Sequence, residues 1–257
     1  MYRGFNITDV LFIHDTNENF ARKYTDSYDK YRKEISSTLN RYVLSDNILD
    51  GSKMQADWFP QINADIFISH SHEDEEYAKS LAGKIQAYTG LSCFIDSCVW
   101  NYADDLLRKV DDNYCQCDDS HTYDYQKRNY STSHIHMMLN AALMKMIDKC
   151  ECLFFLNTPN SIKTENIFES TYSPWIFSEI SISKYIRKKI PERKNLKRIR
   201  DSLNKSFSME NFEVQYQLDL AHLTDICEDD LNKWLELYLN DNKYSLDTLY
   251  NLYPING

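Results

Sequence analysis

The sequence predicts an α/β fold, a central parallel sheet flanked by helices. Two apolar runs, Ile66-Phe67-Ile68 and Cys152-Leu153-Phe154-Phe155-Leu156, pass directly into polar residues, as strands buried on both faces do at their carboxyl ends. Between them Tyr77, Leu81, Ile85 and Tyr88 recur at helical spacing, and Gly90 then separates that stripe from a second short apolar run, Leu91-Ser92-Cys93-Phe94-Ile95. Strand, helix and strand in this order make a βαβ unit, whose crossover is right-handed in a parallel sheet.

Composition sets the limits. With 257 residues, 42% of them apolar and 14% aromatic, the chain can bury a full core as one domain with appendages or as two small ones. A net charge of -10 counts against sequence-independent binding to nucleic acid or acidic membranes, so neither is expected as a partner. The longest unbroken apolar run is residues 152–156, far short of a membrane span, and the N-terminus has no signal-peptide pattern, which predicts a cytoplasmic protein. Seven cysteines, an odd number in a chain that needs no staples, read as reduced thiols. The pairs Cys115 and Cys117 (with His121 nearby) and Cys150 and Cys152 lack the spacing of a zinc site, so no metal is expected. Five glycines supply neither a phosphate-binding loop nor a G-x-G-x-x-G turn, and no resident cofactor is expected.

The elements follow in order. Tyr24, Tyr28, Tyr31, Ile35, Leu39 and Tyr42 recur at three and four, predicting one long helix over residues 19–43 within an N-terminal helical extension, 1–62. Residues 46–60 read as linker. The strand over 65–69 leads to Ser71-His72-Glu73-Asp74, a capping-box pattern ahead of the first crossover helix. The strand over 91–95 ends at Asp96, and residues 97–132 read as an insertion, a long polar loop apart from a short helix over 103–112. Ile135, Met138, Leu139, Ala142, Leu143 and Met146 mark an apolar helix before the strand over 152–156. Ser173-Pro174 is a strong helix start, serine capping a free N–H and proline having none to leave unpaired. The alternation over 213–218 predicts a fourth strand, and Leu231, Trp234, Leu235 and Tyr238 a last helix over 229–239. The nine basic residues over 187–205 read as a solvated stripe.

Ligands of an open parallel sheet bind outside the carboxyl ends of its strands. Residues 69–72, 96–100 and 157–160 and the helix start at Ser173 are therefore predicted to converge on one cleft. On that helix Trp175 and Glu179 stand four apart and share a face, an aromatic plane one turn from a carboxylate. Taken alone, a buried tryptophan and a solvated glutamate are the ordinary reading of such a pair.

Two stretches resemble the Toll/interleukin-1 receptor (TIR) domain. Asp65-Ile66-Phe67-Ile68-Ser69-His70-Ser71-His72-Glu73-Asp74 resembles its first box, a strand followed by a Ser-rich acidic loop. Ser173-Pro174-Trp175-Ile176-Phe177-Ser178-Glu179-Ile180 resembles the plant and bacterial pattern S-x-W-C-x-x-E-L, with isoleucine in place of the cysteine and of the final leucine. The resemblance covers about residues 63–240 and implies a flavodoxin-like TIR fold, with the TIR domain spanning 63–257. The family's Arg/Gly-Pro loop after the second strand is replaced here by Ser97-Cys98-Val99-Trp100-Asn101-Tyr102.

What the resemblance implies is an NAD⁺ nucleosidase, NAD⁺ being substrate rather than cofactor, with Glu179 catalytic. Departure of nicotinamide leaves positive charge on the ribose, which a fixed carboxylate stabilises. Ser69 and His70 are implied to bind ribose or phosphate, Asp96 and Trp100 to occupy the mobile loop beside the site, and Ser173 to start its helix. Trp175 either packs beneath the helix or walls the nicotinamide pocket. The product is ADP-ribose or a cyclic or conjugated relative. The type of system implied is bacterial antiphage defence of the Thoeris kind, with self-association or other TIR chains, a phage trigger and a separate effector as partners. The rival reading is a non-catalytic TIR interaction module.

Overall fold

The computed structural model describes residues 1–8, 18–28, 39–45, 48–100, 103–117, 122–162, 170–191, 193, 216–238 and 244–254. In chain order the elements are β1 (Arg3–Thr8), α1 (Glu18–Tyr28), a 3-10 turn (Leu39–Tyr42), β2 (Val43–Ser45), β3 (Ile48–Leu49), α2 (Gly51–Trp58) and β4 (Ile66–Ser69). A second 3-10 turn (His72–Asp74), α3 (Glu75–Thr89), β5 (Cys93–Phe94), α4 (Asp96–Val99), α5 (Ala103–Tyr114), α6 (Tyr125–Lys149) and β6 (Cys152–Leu156) follow. β7 (Ser170–Thr171), α7 (Pro174–Tyr185), β8 (Tyr216–Gln217), β9 (Thr224–Cys227), α8 (Glu228–Tyr238) and α9 (Ser245–Leu252) complete it.

Five strands form one parallel sheet in the order β5-β4-β6-β1-β9, flanked by helices. The runs read as buried strands are such strands: Ile66, Phe67 and Ile68, and every residue from Cys152 to Leu156, are wholly enclosed. At about 1.5–3 kcal/mol for each large apolar side chain removed from water, these central strands supply much of the driving force for folding. Gly90 closes α3 in the left-handed region, at φ 73°, where a side chain would be strained.

Four expectations are corrected. Residues 1–62 are not a separate helical extension, because β1 lies inside the sheet and pairs with both β6 and β9. Its polar residues hid it: Arg3 is buried by donating to Thr224 Oγ1 and the Tyr250 carbonyl, and Asn6 by donating to Asp225 Oδ1. The segment read as linker contains α2, with Asp50 accepting from the Lys53 N–H as its cap. The region 97–132 is helical over most of its described length, since α4, α5 and the first turns of α6 fill it and Asp124 caps α6. The strand expected over 213–218 is described only at β8, which pairs antiparallel with β7 away from the main sheet. The fifth sheet strand is β9, four residues whose polar first pair gave no apolar run.

Residues 29–38 of the long predicted helix, the Asn101 and Tyr102 positions, His121, most of the basic stripe (194–205) and residues 213–215 lie outside the described residues. Of the one long helix predicted over 19–43 only the N-terminal part is described as α-helix, α1, where Tyr24 is buried and donates to the Cys93 carbonyl; at its other end the expectation is corrected, since Leu39–Tyr42 is a 3-10 turn and Val43 begins β2. α1 lies across α3 at Gly83, where an added Cβ would meet the Phe20 carbonyl. Among the described residues no helix is long and apolar enough to cross a membrane.

The placement of α7 matters most for function. It packs on α6, where Ser178 Oγ donates to Asn140 Oδ1 at 2.8 Å, and its first turns stand over the carboxyl end of β4.

Candidate active site

Helix α7 begins as the sequence dictates: the Ser173 hydroxyl oxygen accepts from the Ile176 N–H at 3.3 Å and Pro174 occupies the first turn. Glu179 follows one turn after Trp175 and points inward, 3% exposed. The solvated-charge reading of this residue is thereby excluded. Ser69, the last residue of β4, donates a 2.6 Å hydrogen bond to Glu179 Oε2.

A cleft of about 390 Å³ opens there, lined by His70, His72, Asp96, Ser97, Trp100, Ala103, Asp104, Leu139, Leu143, Ser173, Trp175 and Glu179. Its size falls in the range of small-molecule sites. Burial pushes the Glu179 carboxyl well above the usual carboxylate range, and the charge of Asp96 pushes it the same way, against the Ser69 hydrogen bond. Glu179 therefore holds its proton more firmly than a free glutamate. Positive charge brought into the cleft works against that shift and favours the carboxylate.

The predicted residues are brought together with differing parts to play. His70, Asp96, Trp100, Ser173, Trp175 and Glu179 all line the cleft, drawn from three separate stretches of chain. Ser69 is not among the lining residues; it is 1% exposed and its hydroxyl is spent on Glu179, so it holds the carboxyl instead of contacting a ligand. Trp100 is no open stacking platform. Its indole N–H donates to the Pro60 carbonyl at 2.8 Å and its ring meets Phe59 and Phe94 edge-on, with only 3% exposed. Nor is the segment after Asp96 a loop, because it winds at once into α4. Trp175 is half-buried, its ring edge-on to His136 at 5.4 Å, and it both packs on the core and lines the cleft.

His70 sits between two partners. Ser97 Oγ lies 3.3 Å from its Nε2, and Asp96 Oδ1 lies 4.0 Å from its Nδ1, which is buried without a hydrogen bond. Residues 157–160, expected at the cleft, are not among its described lining. Thr158 Oγ1 and Asn160 Nδ2 instead donate to the buried Asp74 carboxylate, at 2.5 and 2.7 Å, and tie the loop after β6 to the start of α3. The capping box ahead of α3 does not form, since Ser71 makes no side-chain cap and Asp74 is taken by this loop.

Asp104 was the site residue that the sequence hid. It lies in the first turn of α5, an ordinary position for an acid at a helix N-terminus, and only the fold of α5 against α6 sets it at the cleft. Leu139 and Leu143, by contrast, belong to the apolar stripe that marked α6. Comparison with protein-family models, with curated proteins and with solved structures gave no match to the chain.

Proposed function

We propose that this cleft cleaves the bond between nicotinamide and ribose in NAD⁺, as a TIR-type nucleosidase. The observation that carries the reading is the placement of Glu179: a buried carboxyl, fixed by Ser69 and set beside Trp175 in a cleft at the carboxyl end of a parallel strand.

The chemistry follows from the charge. A nicotinamide ring attached to ribose is cationic, and its arrival next to Glu179 and Asp96 lowers the carboxyl's proton affinity, so the proton leaves to solvent. As the C1′–N bond breaks, its electron pair goes to the ring nitrogen and neutral nicotinamide departs with no acid to protonate it. The positive charge then resides on C1′ and the ring oxygen, opposite the Glu179 carboxylate that Ser69 holds still. Water attacking C1′ and losing its proton gives ADP-ribose; attack by an atom of the same nucleotide gives a cyclic product. Trp175 supplies an aromatic wall for the departing ring.

The wider assignment is a cytoplasmic enzyme of antiphage defence, activated by a phage trigger and answered by a separate effector. It rests on the likeness of the first and second boxes to bacterial TIR proteins. The interaction-module reading has one observation in its favour: Tyr130, Met137 and Met144, seven apart on α6, are all exposed, an apolar stripe suited to another chain.

The test is nicotinamide release from NAD⁺ by the wild type and by Glu179→Gln at high protein concentration, with and without lysate of infected cells, read by mass spectrometry. Release by the wild type alone is expected, and the mass of the second product identifies the acceptor. Silence from folded wild-type protein in every condition moves the assignment to the interaction module.

A further inference from the structure

A second cavity, of about 780 Å³, lies between β3, α2, α5 and α6 and is about twice the volume of the cleft. Its floor is apolar, with Leu49, Met54, Val110, Ile135 and Met138 among the residues that line it. Polar bonds fix its walls. Gln55 Nε2 donates to the Met138 carbonyl at 2.6 Å and Lys145 Nζ to Gln55 Oε1 at 3.0 Å, which ties α2 to α6. Asp111 accepts from Arg128 Nε at 3.0 Å and from Ser131 Oγ at 2.5 Å, which ties α5 to α6. Protein interiors are packed to the density of organic crystals, and preformed apolar space of this size gains free energy by taking up an apolar molecule.

The polar groups of the cavity come from one segment. Gln126, Lys127, Tyr130 and His134 all belong to the first turns of α6, where a spacing of three and four residues makes one face. The Tyr130 and His134 rings meet edge-on at 4.4 Å, which holds both in place. Acids close to this segment are already engaged: Asp111 as above, Asp112 by the Tyr123 hydroxyl at 2.5 Å, and Asp124 as the cap that accepts from the Lys127 N–H at 2.9 Å. An ammonium, an amide and a phenol together offer donors to one anionic oxygen group, the ammonium most strongly. From this arrangement we propose that the space between α2, α5 and α6 is a second ligand site, for an apolar molecule ending in a carboxylate. Its chain lies along Met54, Val110 and Met138, and Lys127 meets its head. Nothing in this site requires Glu179 or NAD⁺, yet the same two helices serve both cavities. α5 brings Asp104 to the cleft and Val110 to the second site, while α6 brings Leu139 and Leu143 to the one and Ile135 and Met138 to the other.

The experiment titrates decanoate, with decanol as its uncharged counterpart, into the full chain labelled with carbon-13 at its methionine methyl groups. Decanoate at up to about 1 mM should shift the Met54 and Met138 signals saturably and leave that of Met144, exposed farther along α6, in place. Lys127→Gln, at an exposed position, should weaken decanoate about tenfold and leave decanol unchanged. Leu49→Trp, which fills the rim, should weaken both. No shift at that concentration, or shifts as large at Met144 as at Met54, overturn the inference. Equal binding of decanoate by the wild type and Lys127→Gln overturns it as well. Met54 and Met138 signals that move with protein concentration in the absence of decanoate would mark the cavity as an interface between copies and overturn it in turn. None of these readouts passes through nicotinamide release, so the nucleosidase reading stands or falls separately.

Discussion

Ser69 Oγ and Glu179 Oε2 meet at 2.6 Å, 110 positions apart in sequence, and that bond joins the end of a central strand to the second turn of α7. The first box and the second box of the sequence are thus in direct contact. One supplies the carboxyl and the other fixes its orientation.

Glu179 costs the fold stability at neutral pH. Its pKa in the folded chain lies well above the 4.5 of a free glutamate, so its contribution is fully present below pH 4.5 and is lost as pH rises through the folded value. Glu179→Gln keeps an acceptor for Ser69 and never ionises. It should melt higher than the wild type at pH 8, by about 2–4 °C for each kcal/mol relieved, and the two should converge near pH 4. Nicotinamide release should fall by about 100-fold or more. Thermal melts across pH, run beside the activity assay, check both halves.

Ser69→Ala and Asp96→Asn should move the acid limb of the pH–rate profile in opposite directions. The reaction needs the carboxylate, so rate rises as pH passes upward through the Glu179 pKa. Losing the Ser69 hydroxyl removes the bond that favours the carboxylate and shifts the limb to higher pH. Losing the Asp96 charge removes a repulsion and shifts it lower. Shifts in the same direction would contradict the electrostatic account of the cleft.

Deleting residues 1–8 should abolish folding. β1 is hydrogen-bonded on both sides, and Phe5 and Ile7 are fully buried, so the deletion leaves a slot between β6 and β9. Far-UV circular dichroism and solubility of the truncated chain report the outcome. A soluble, cooperatively folding product would contradict this placement of β1.

Gly83→Ala tests the crossing of α1 and α3. In an open helical position this change stabilises by about 1 kcal/mol. Here the new methyl group meets the Phe20 carbonyl, backbone that can give only if α1 moves, so the expected sign is reversed, a loss of about 1–3 kcal/mol. Denaturant melts of the two proteins measure it.

Much of the frame is written locally in the sequence. The runs at 66–68 and 152–156 read as strands because they are too short for a buried helix and pass straight into polar residues, as doubly covered strands do. The start of α7 is equally local, since Ser173 and Pro174 specify a helix N-terminus by their own chemistry. From those signals came the parallel sheet, the cleft at its carboxyl ends and the pairing of Trp175 with Glu179 on one helix face. Tertiary structure alone decided the rest. β1 and β9 are strands because their polar residues find partners only across the finished sheet, Arg3 with Thr224 and Asn6 with Asp225, and no local pattern announces such bonds. Trp100 became a wall held by Pro60, and Ser69 a support for Glu179, because hydroxyl and indole groups take whichever partner burial puts within reach. The proton on Glu179 is likewise a property of the assembled cleft: desolvation and the charge of Asp96 exist only once three distant stretches of chain have closed around it.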